Sequence, residues 1–403
     1  MRLLATRLTA IASAVKRLFS PASLFRNAEQ GVWYDPSDFS TLFQDSAGTT
    51  PVTAVGQPVG LILDKSKGLV LGAELVTNGG FDTNITGWSQ TTGAIQWDNG
   101  TLLAGTGATG RATQTLTLVS GRTYLISVSK TAGALADAII RFGTDATGAT
   151  GSVLAITNLG IGTYTYRVPA TAATMYISVG SLTSSNFDNI SVKELPGNHA
   201  TQATAASRPI LKQDANGKYY LLFDGVDDSL STASIDFTST DKMTVFAGVR
   251  KLSDAATGSI VETFNPLATI GNTFSITGPQ TAAANFAVGM IESGAVYGVG
   301  LATTFASPVT KIVTGIFDRS ATGNAGKVKA RINSIVQTLD FTGSAGTLTT
   351  GNFTARPLYV GRRGGAERAF NGHLYSLIVR GAQSSDSQIV SAESYVNSKT
   401  GAY

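Results

Sequence analysis

Between Thr77 and Lys193 the chain alternates apolar and polar residues in short runs, each closed by Gly, Pro, Asn or Ser, with no helical periodicity between them. The clearest runs are 123–129, 162–168, 175–179 and 187–193. Successive side chains of a strand point to opposite faces, so such a run buries one face and offers the other to solvent. A strand and turn every ~8–12 residues fits an antiparallel sandwich rather than βαβ units.

The same pattern resumes near His199, in the runs 219–223, 243–249, 311–317, 327–332 and 373–379. One late helix interrupts it. Ser385-Asp-Ser-Gln388 has the form of a capping box, Ile389, Ala392 and Val396 make an apolar stripe, and Gly401 supplies a stop. Composition agrees with a turn-rich all-β protein: 45 of 403 residues are glycine, and 14% are charged against a usual ~25%. The chain has no cysteine, which removes disulfides, thiol nucleophiles and cysteine-based metal sites. His199 and His373 are the two histidines, too few for a multi-histidine metal centre.

The net charge of +4 sits at the N-terminus, where Arg2, Arg7, Lys16, Arg17 and Arg26 face one acid, Glu29. The rest of the chain is neutral overall, which argues against a nucleic-acid partner. In that basic segment Leu4, Leu8, Ile11, Val15, Leu18 and Phe19 fall within an arc of roughly 100° on a helical wheel. Pro21 ends the helix near Phe19 or Ser20. The helix is too short and too charged to span a bilayer, and Thr6, Arg7, Thr9 and Ser13 break the apolar run a secretory signal needs. A transit peptide, a membrane-surface helix and a docking helix all fit its composition.

Asn78-Gly-Gly-Phe-Asp82 and Gly87-Trp88 at one end, with Asp188-Asn-Ile-Ser-Val192 at the other, resemble the carbohydrate-binding jelly rolls attached to glycan-degrading enzymes. Phe223-Asp-Gly-Val-Asp-Asp228, Tyr359-Val-Gly361, Phe370-Asn-Gly372 and the tail 392–399 are similar to concanavalin A-like, laminin-G-type lectin domains. Gly31-Val-Trp-Tyr-Asp-Pro-Ser-Asp38 resembles the opening strand of the same domains. A phrase that is continuous in that family is split here, Asp64-Lys-Ser66 before the first set of strands and Gly197-Asn-His-Ala200 after it. The expected fold is therefore all-β: two jelly-roll sandwiches, one inserted into a loop of the other, preceded by an N-terminal amphipathic helix. Residues 1–30 hold the helix and linker, 31–66 plus 197–403 form the lectin-type domain, and 69–195 form the insert.

The basic helix, Trp33-Tyr-Asp-Pro-Ser-Asp38 and Leu42-Phe-Gln-Asp-Ser-Ala-Gly-Thr-Thr-Pro-Val52 together resemble a group of bacteriophage virion proteins. That resemblance implies a tail or head appendage, and the expectation is a tail fibre or receptor-binding appendage that contacts host-surface glycan, assembled in the host cytoplasm and exposed on the particle. Leu4, Leu8, Ile11, Val15 and Leu18 would dock on other virion proteins, the protein would be a homo-oligomer such as a trimer, and no membrane would be involved. A head fibre or capsid decoration is the alternative within the particle. A surface glycan hydrolase with a binding module is the alternative outside it.

Hydrolases of the concanavalin-like fold set acids on alternating positions of one strand, and retaining enzymes hold two carboxyls ~5–5.5 Å apart. Glu29, Glu74, Glu194, Glu262, Glu292, Glu367 and Glu393 are the glutamates, and none has another within five residues. The expectation is no catalysis and no required cofactor. Gly105-Thr-Gly-Ala-Thr-Gly110 matches a dinucleotide fingerprint by letter, but its setting among short strands reads as a turn. Asn333-Ser334 reads as a hairpin turn. Asp224, Asp227 and Asp228 offer the oxygen ligands that structural calcium takes, or else cap a tight turn, and Asp188 with Asn78 leaves the same choice.

Sugar recognition needs aromatic faces flanked by polar groups. Trp97 beside Asp98 is the leading candidate, with Tyr124 and Tyr164 behind it, although alternation makes burial the default for both tyrosines. Trp88 follows the family's Gly-Trp pattern and reads as core. The 362–368 segment, with Arg362, Arg363 and Arg368, reads as a solvated loop that would otherwise meet anionic glycan.

Overall fold

The computed structural model describes residues 19–134, 137–147, 151–264, 271–280, 284–292, 295–340 and 347–403. The amphipathic stretch holding Leu4, Leu8, Ile11, Val15 and Leu18 lies outside these residues.

The strands form two β-sandwiches of different size, and all strand pairs are antiparallel. In the larger one, an eight-stranded sheet is centred on Asn371–Arg380, which pairs along its length with Lys242–Lys251. Its other edge is shared: Tyr219–Asp224 covers Asn371 to Leu374, and Gly31–Tyr34 covers Leu377 to Arg380. The facing sheet has ten strands, and in it Ala200–Thr201 lies between Leu61–Ile62 and Leu230–Ile235. Segments from before and after the smaller sandwich are thus direct neighbours in both sheets of the larger.

Alternation accounts for the core. In Lys242–Lys251, the side chains of Met243, Val245, Ala247 and Val249 join the cluster between the sheets, with Leu221, Phe274, Val288 and Phe317. Phe246 points the opposite way, yet it is also buried, because the helix Asp386–Thr400 covers that face with Ile389, Ala392 and Val396. The helix has the expected ends. Ser385 accepts from the Gln388 N–H, Gln388 reaches back to the N-cap backbone, and Gly401 takes the left-handed conformation at φ 60°. Leu24 and Phe25, on the short 3₁₀ turn Pro21–Phe25, pack into the same cluster.

The smaller sandwich has two five-stranded sheets around Phe81, Trp88, Leu102, Ile126, Phe142, Ile177 and Phe187. Strands run further than the sequence runs suggested, over Thr123–Gly133, Gly162–Pro169, Thr174–Ser181 and Ser185–Leu195. Gly105 and Gly107 both have positive φ between strands, so the Gly-rich stretch is a turn. Asn333 and Ser334, at φ 47° and 67°, form the hairpin turn with both central residues left-handed.

A buried polar knot ties together the two segments of the larger sandwich, where the smaller one leaves it and returns. Asp64, fully buried, accepts from the Trp33, Ser66 and Asn198 N–H groups and from the Ser66 hydroxyl, each at 2.8 Å. His199 accepts the Asp64 N–H at Nδ1, 2.9 Å away, and its Nε2 faces the Leu195 carbonyl at 3.3 Å. The small sandwich meets the larger one at the loop 45–50. There the Arg167 N–H donates to the Ala47 carbonyl at 2.9 Å and its guanidinium to the Gly48 carbonyl at 2.5 Å. Gly48 has φ +67°, and a Cβ there would stand 2.7 Å from Arg167 Cδ, so a larger residue would strain the turn and force the Arg167 side chain to shift.

Candidate functional site

One face that combines shape with unsatisfied polar groups is the outer surface of a small-sandwich sheet. Its strands are Ser89–Thr92, Gly110–Thr117, Thr174–Ser181, Ala138–Gly143 and Ser152–Leu159, in that spatial order. Ser89 pairs with Thr113, Thr113 with Ser178, and Ser178 with Arg141, so these four share one face in one row. Thr115 and Tyr176 pair in the next row. The alternate positions Ala112, Ile177, Val179 and Phe142 fill the core, which fixes the phase of every outward side chain.

These outward residues floor a groove of about 480 Å³, with Ser89, Thr91, Thr113, Thr115 and Tyr176 on its floor and Ala146 on one rim. The other wall, Thr77 and Gly87, is held by Gln114. That amide accepts from the Thr77 N–H at 2.7 Å and donates to the Thr77 and Gly87 carbonyls at 2.8 and 3.1 Å. Thr113 donates to the Ile177 carbonyl at 3.1 Å and lies 2.9 Å from the Ser178 hydroxyl, so its own hydrogen bonds are internal. The Thr91 hydroxyl is buried and has no partner. Among the described residues, the Ser89, Thr115 and Tyr176 hydroxyls also meet no protein partner. At the rim, Arg111 Nη1 donates to the Thr147 carbonyl, and Asp145 accepts the Thr147 N–H at 2.9 Å. Burial lowers the Arg111 pKa, and the neighbouring Arg141 lowers it further. The groove thus offers uncharged donors and acceptors and one aromatic ring on a rigid sheet.

The four sequence-derived sugar candidates are not brought together with this groove. Trp97, on Ile95–Asp98 at the edge of the opposite sheet, is 43% exposed. It pairs with the core residue Leu102, and its indole N–H donates to the Phe81 carbonyl at 2.7 Å, which pins the ring at the sandwich edge. Asp98 points to the other face and accepts from Asn186 at 2.8 Å. Tyr124 is corrected: it is 2% exposed, and its hydroxyl accepts the Val119 N–H at 2.9 Å, so no sugar can reach its ring. Tyr164 packs partly buried against the core and donates to the Gly160 carbonyl at 3.1 Å. The groove was missed because its residues read as ordinary outward strand positions; the one available signal was the run of polar residues at every second position from Arg111 to Thr117.

A second correction concerns Arg363 alone, since the rest of the 362–368 segment is exposed or half-buried. Arg363 is buried, and it grips buried Glu262 through Nε and Nη2 at 2.9 to 3.2 Å. Ser259 donates to the same carboxylate at 2.7 Å. Glu292 is held likewise by Arg319 at 2.8 Å. Both acids are tied to guanidinium partners.

Among the described residues, the cluster with metal-ligand spacing is Asp224, Asp227 and Asp228, whose ligand atoms lie within 4.8 Å of one another. Each carboxylate also closes the turn: Asp224 accepts from the Val226 and Asp227 N–H groups, Asp228 from the Asp224 N–H, and Asp227 from Ser207. Burial and the two neighbouring acids push Asp228 up to about 6. The oxygen donors suit calcium, and the turn is complete without it. Asp188 and Asn78 act in local turns, accepting from Asn189 and donating to the Asn84 and Thr86 carbonyls respectively.

No family model and no curated protein matches this sequence. Among solved structures, a carbohydrate-binding module described as "CBM4 structure and function" is similar at 20% identity and a TM-score of 0.25, over 30% of this chain and 99% of that one. The Ruminococcus gnavus sialidase module CBM40, bound to α2,3-sialyllactose, is similar at 16% identity and a TM-score of 0.30, over 38% of this chain and 83% of that one. The mouse laminin α1 chain, domains LG4-5, is similar at 9% identity and a TM-score of 0.31, over 75% of this chain and 92% of that one.

Proposed function

We propose that this chain is a non-enzymatic, carbohydrate-binding structural protein of a virion, in a tail fibre or receptor-binding appendage. The observation that carries the binding role is the groove over Thr91, Thr113, Thr115 and Tyr176, in which the Thr91, Thr115 and Tyr176 hydroxyls have no partner among the described residues. Sugars present hydroxyls and apolar ring faces together, and hydroxyl-lined clefts with one aromatic ring match both. Trp97 is a second, separate contact at the edge of the same sandwich. The large sandwich acts as the frame, with residues 31–66 and 197–403 forming one unit and 69–195 the inserted binding unit.

Support for the structural role comes from the docking of Leu24 and Phe25 beside the C-terminal helix, which gives the basic N-terminal segment a fixed point of departure. Leu4, Leu8, Ile11, Val15 and Leu18 would be the residues that dock on other virion proteins. Exchanging Leu8 and Val15 for Asp leaves the body folded and the protein absent from purified particles; normal incorporation would remove this role.

The binding test is a glycan array with the full chain, Tyr176→Ala and Trp97→Ala, and a reducing-end assay on every ligand found. Loss of the contact residue weakens binding by about 1–3 kcal/mol. Binding unchanged in Tyr176→Ala would move the site away from the groove. New reducing ends would make the protein a hydrolase. A blank array for all three proteins would favour a capsid decoration.

A further inference from the structure

A second cleft, of about 210 Å³, lies where the two sandwiches meet. Thr123 and Arg167 line it from the small sandwich, and Ser46, His199, Thr201 and Ser231 from the large one. At ~30 Å³ per water it has room for about seven waters, the scale of one sugar ring rather than of a chain.

Arg167 is the single cationic side chain lining the cleft at neutral pH, because burial lowers His199 to about 4. Its guanidinium uses Nη1 on the Gly48 carbonyl and lies 4.1 Å from the Phe43 ring centroid. Among the described residues, no carboxylate lies within 4.0 Å of it. The acid that acts on it electrostatically is Asp45. Both Asp45 oxygens are already taken, by the Ala47, Thr49 and Thr50 N–H groups and the Thr49 hydroxyl. Burial lowers the Arg167 pKa, the mark of a cation drawn from water without a full counter-charge. A carboxylate is the planar anion that a guanidinium binds best, through paired N–H donors. The Ser46, Thr123, Thr201 and Ser231 hydroxyls meet no protein partner among the described residues, so ring hydroxyls would find donors and acceptors on both walls.

We propose that this interdomain cleft is a second ligand site, distinct from the groove, that takes one acidic sugar unit with its carboxylate on Arg167. The ligand would touch both sandwiches at once, so occupancy would also raise the melting temperature of the whole chain.

The test is calorimetric titration of the full-length protein at pH 7 and low salt, with sodium glucuronate, glucose and sodium acetate as probes. Glucuronate should bind at least roughly tenfold more tightly than either glucose or acetate. Arg167→Met should weaken glucuronate at least tenfold, and Ala233→Phe, which fills the cleft and leaves Arg167 in place, should abolish it. Circular dichroism checks that each variant is folded, and the Ala233 variant decides the matter if Arg167→Met is not. No heat with glucuronate up to about 50 mM would overturn the proposal. So would acetate binding as tightly as glucuronate, or glucuronate binding unchanged in Ala233→Phe.

Discussion

Asp64 and Asn198 are 134 residues apart in the chain, and the Asn198 N–H donates to Asp64 Oδ2 at 2.8 Å. The whole small sandwich lies between them in sequence. One carboxylate thus closes the loop from which that sandwich emerges, and it holds the first strand through Trp33 as well.

Replacing Asp64 with Ala should therefore be among the most damaging single changes. Two buried N–H groups, those of Trp33 and Ser66, and the part-buried one of Asn198 would lose their acceptor, and each unsatisfied buried donor costs about 1–3 kcal/mol. Equilibrium unfolding in urea should show a loss of at least about 3 kcal/mol. A loss under about 1 kcal/mol would mean the knot is not what joins the two segments.

His199 makes a prediction about pH. Its folded pKa, lowered by burial to about 4, lies below the ordinary 6.5. A base held neutral in the fold stabilises fully above pH 6.5, and that contribution is lost as pH falls through 6.5 towards 4, because the unfolded chain then binds the extra proton. Asp64 and Asp228 work in the opposite sense, since burial pushes each up to about 6 and acid relieves the cost of their charge. Wild-type stability should therefore change modestly between pH 7 and 4.5. The destabilisation caused by His199→Gln should shrink by about 2–3 kcal/mol over the same range. An equal penalty at both pH values would contradict a neutral, buried His199.

The pair Glu262–Arg363 invites a double-mutant cycle. Removing one member leaves a buried charge without its partner, at about 3–5 kcal/mol. Glu262→Gln and Arg363→Met should each fall in that range, and the double variant should lose much less than their sum. Additive losses, measured by urea unfolding, would show that the two groups are independent.

Ser385→Ala tests the end of the last helix. The lost side-chain acceptor for the Gln388 N–H should cost about 1 kcal/mol. A thermal melt indistinguishable from wild type would show that the cap contributes nothing.

Local chemistry was legible in the sequence where one short segment decides the outcome. Ser385, Gln388 and Gly401 specify a helix with both its ends, and the strand at 123–133 declares itself through Tyr124, Ile126 and Val128 on one face. That same alternation placed Tyr124 in the core, against its role as a sugar contact. The groove was not legible, because Ser89, Thr113 and Tyr176 become neighbours only through the registers of three strands. An outward threonine on a curved sheet and one on a flat sheet look alike in sequence. Arg363 was misread for a related reason: its partner Glu262 lies 101 residues away, and nothing near Arg363 hints at a buried acid.

The shared edge of Asn371–Arg380 has a consequence for the order of synthesis. Glu29 and Arg380, 351 residues apart, are joined at 2.6 Å, and Gly31–Tyr34 lies alongside Leu377 to Arg380. The small sandwich is continuous in the chain, so it can fold as soon as Leu195 has left the ribosome. The opening strand has no such freedom: its Val32, Trp33 and Tyr34 must wait, unpaired, until residues 377–380 are made. The folded small sandwich then stands between the waiting strand and its partner as a bulky spacer. A nascent chain stalled before residue 371 would expose that strand to any sheet edge nearby, and neighbouring copies on one messenger would be the first to offer one.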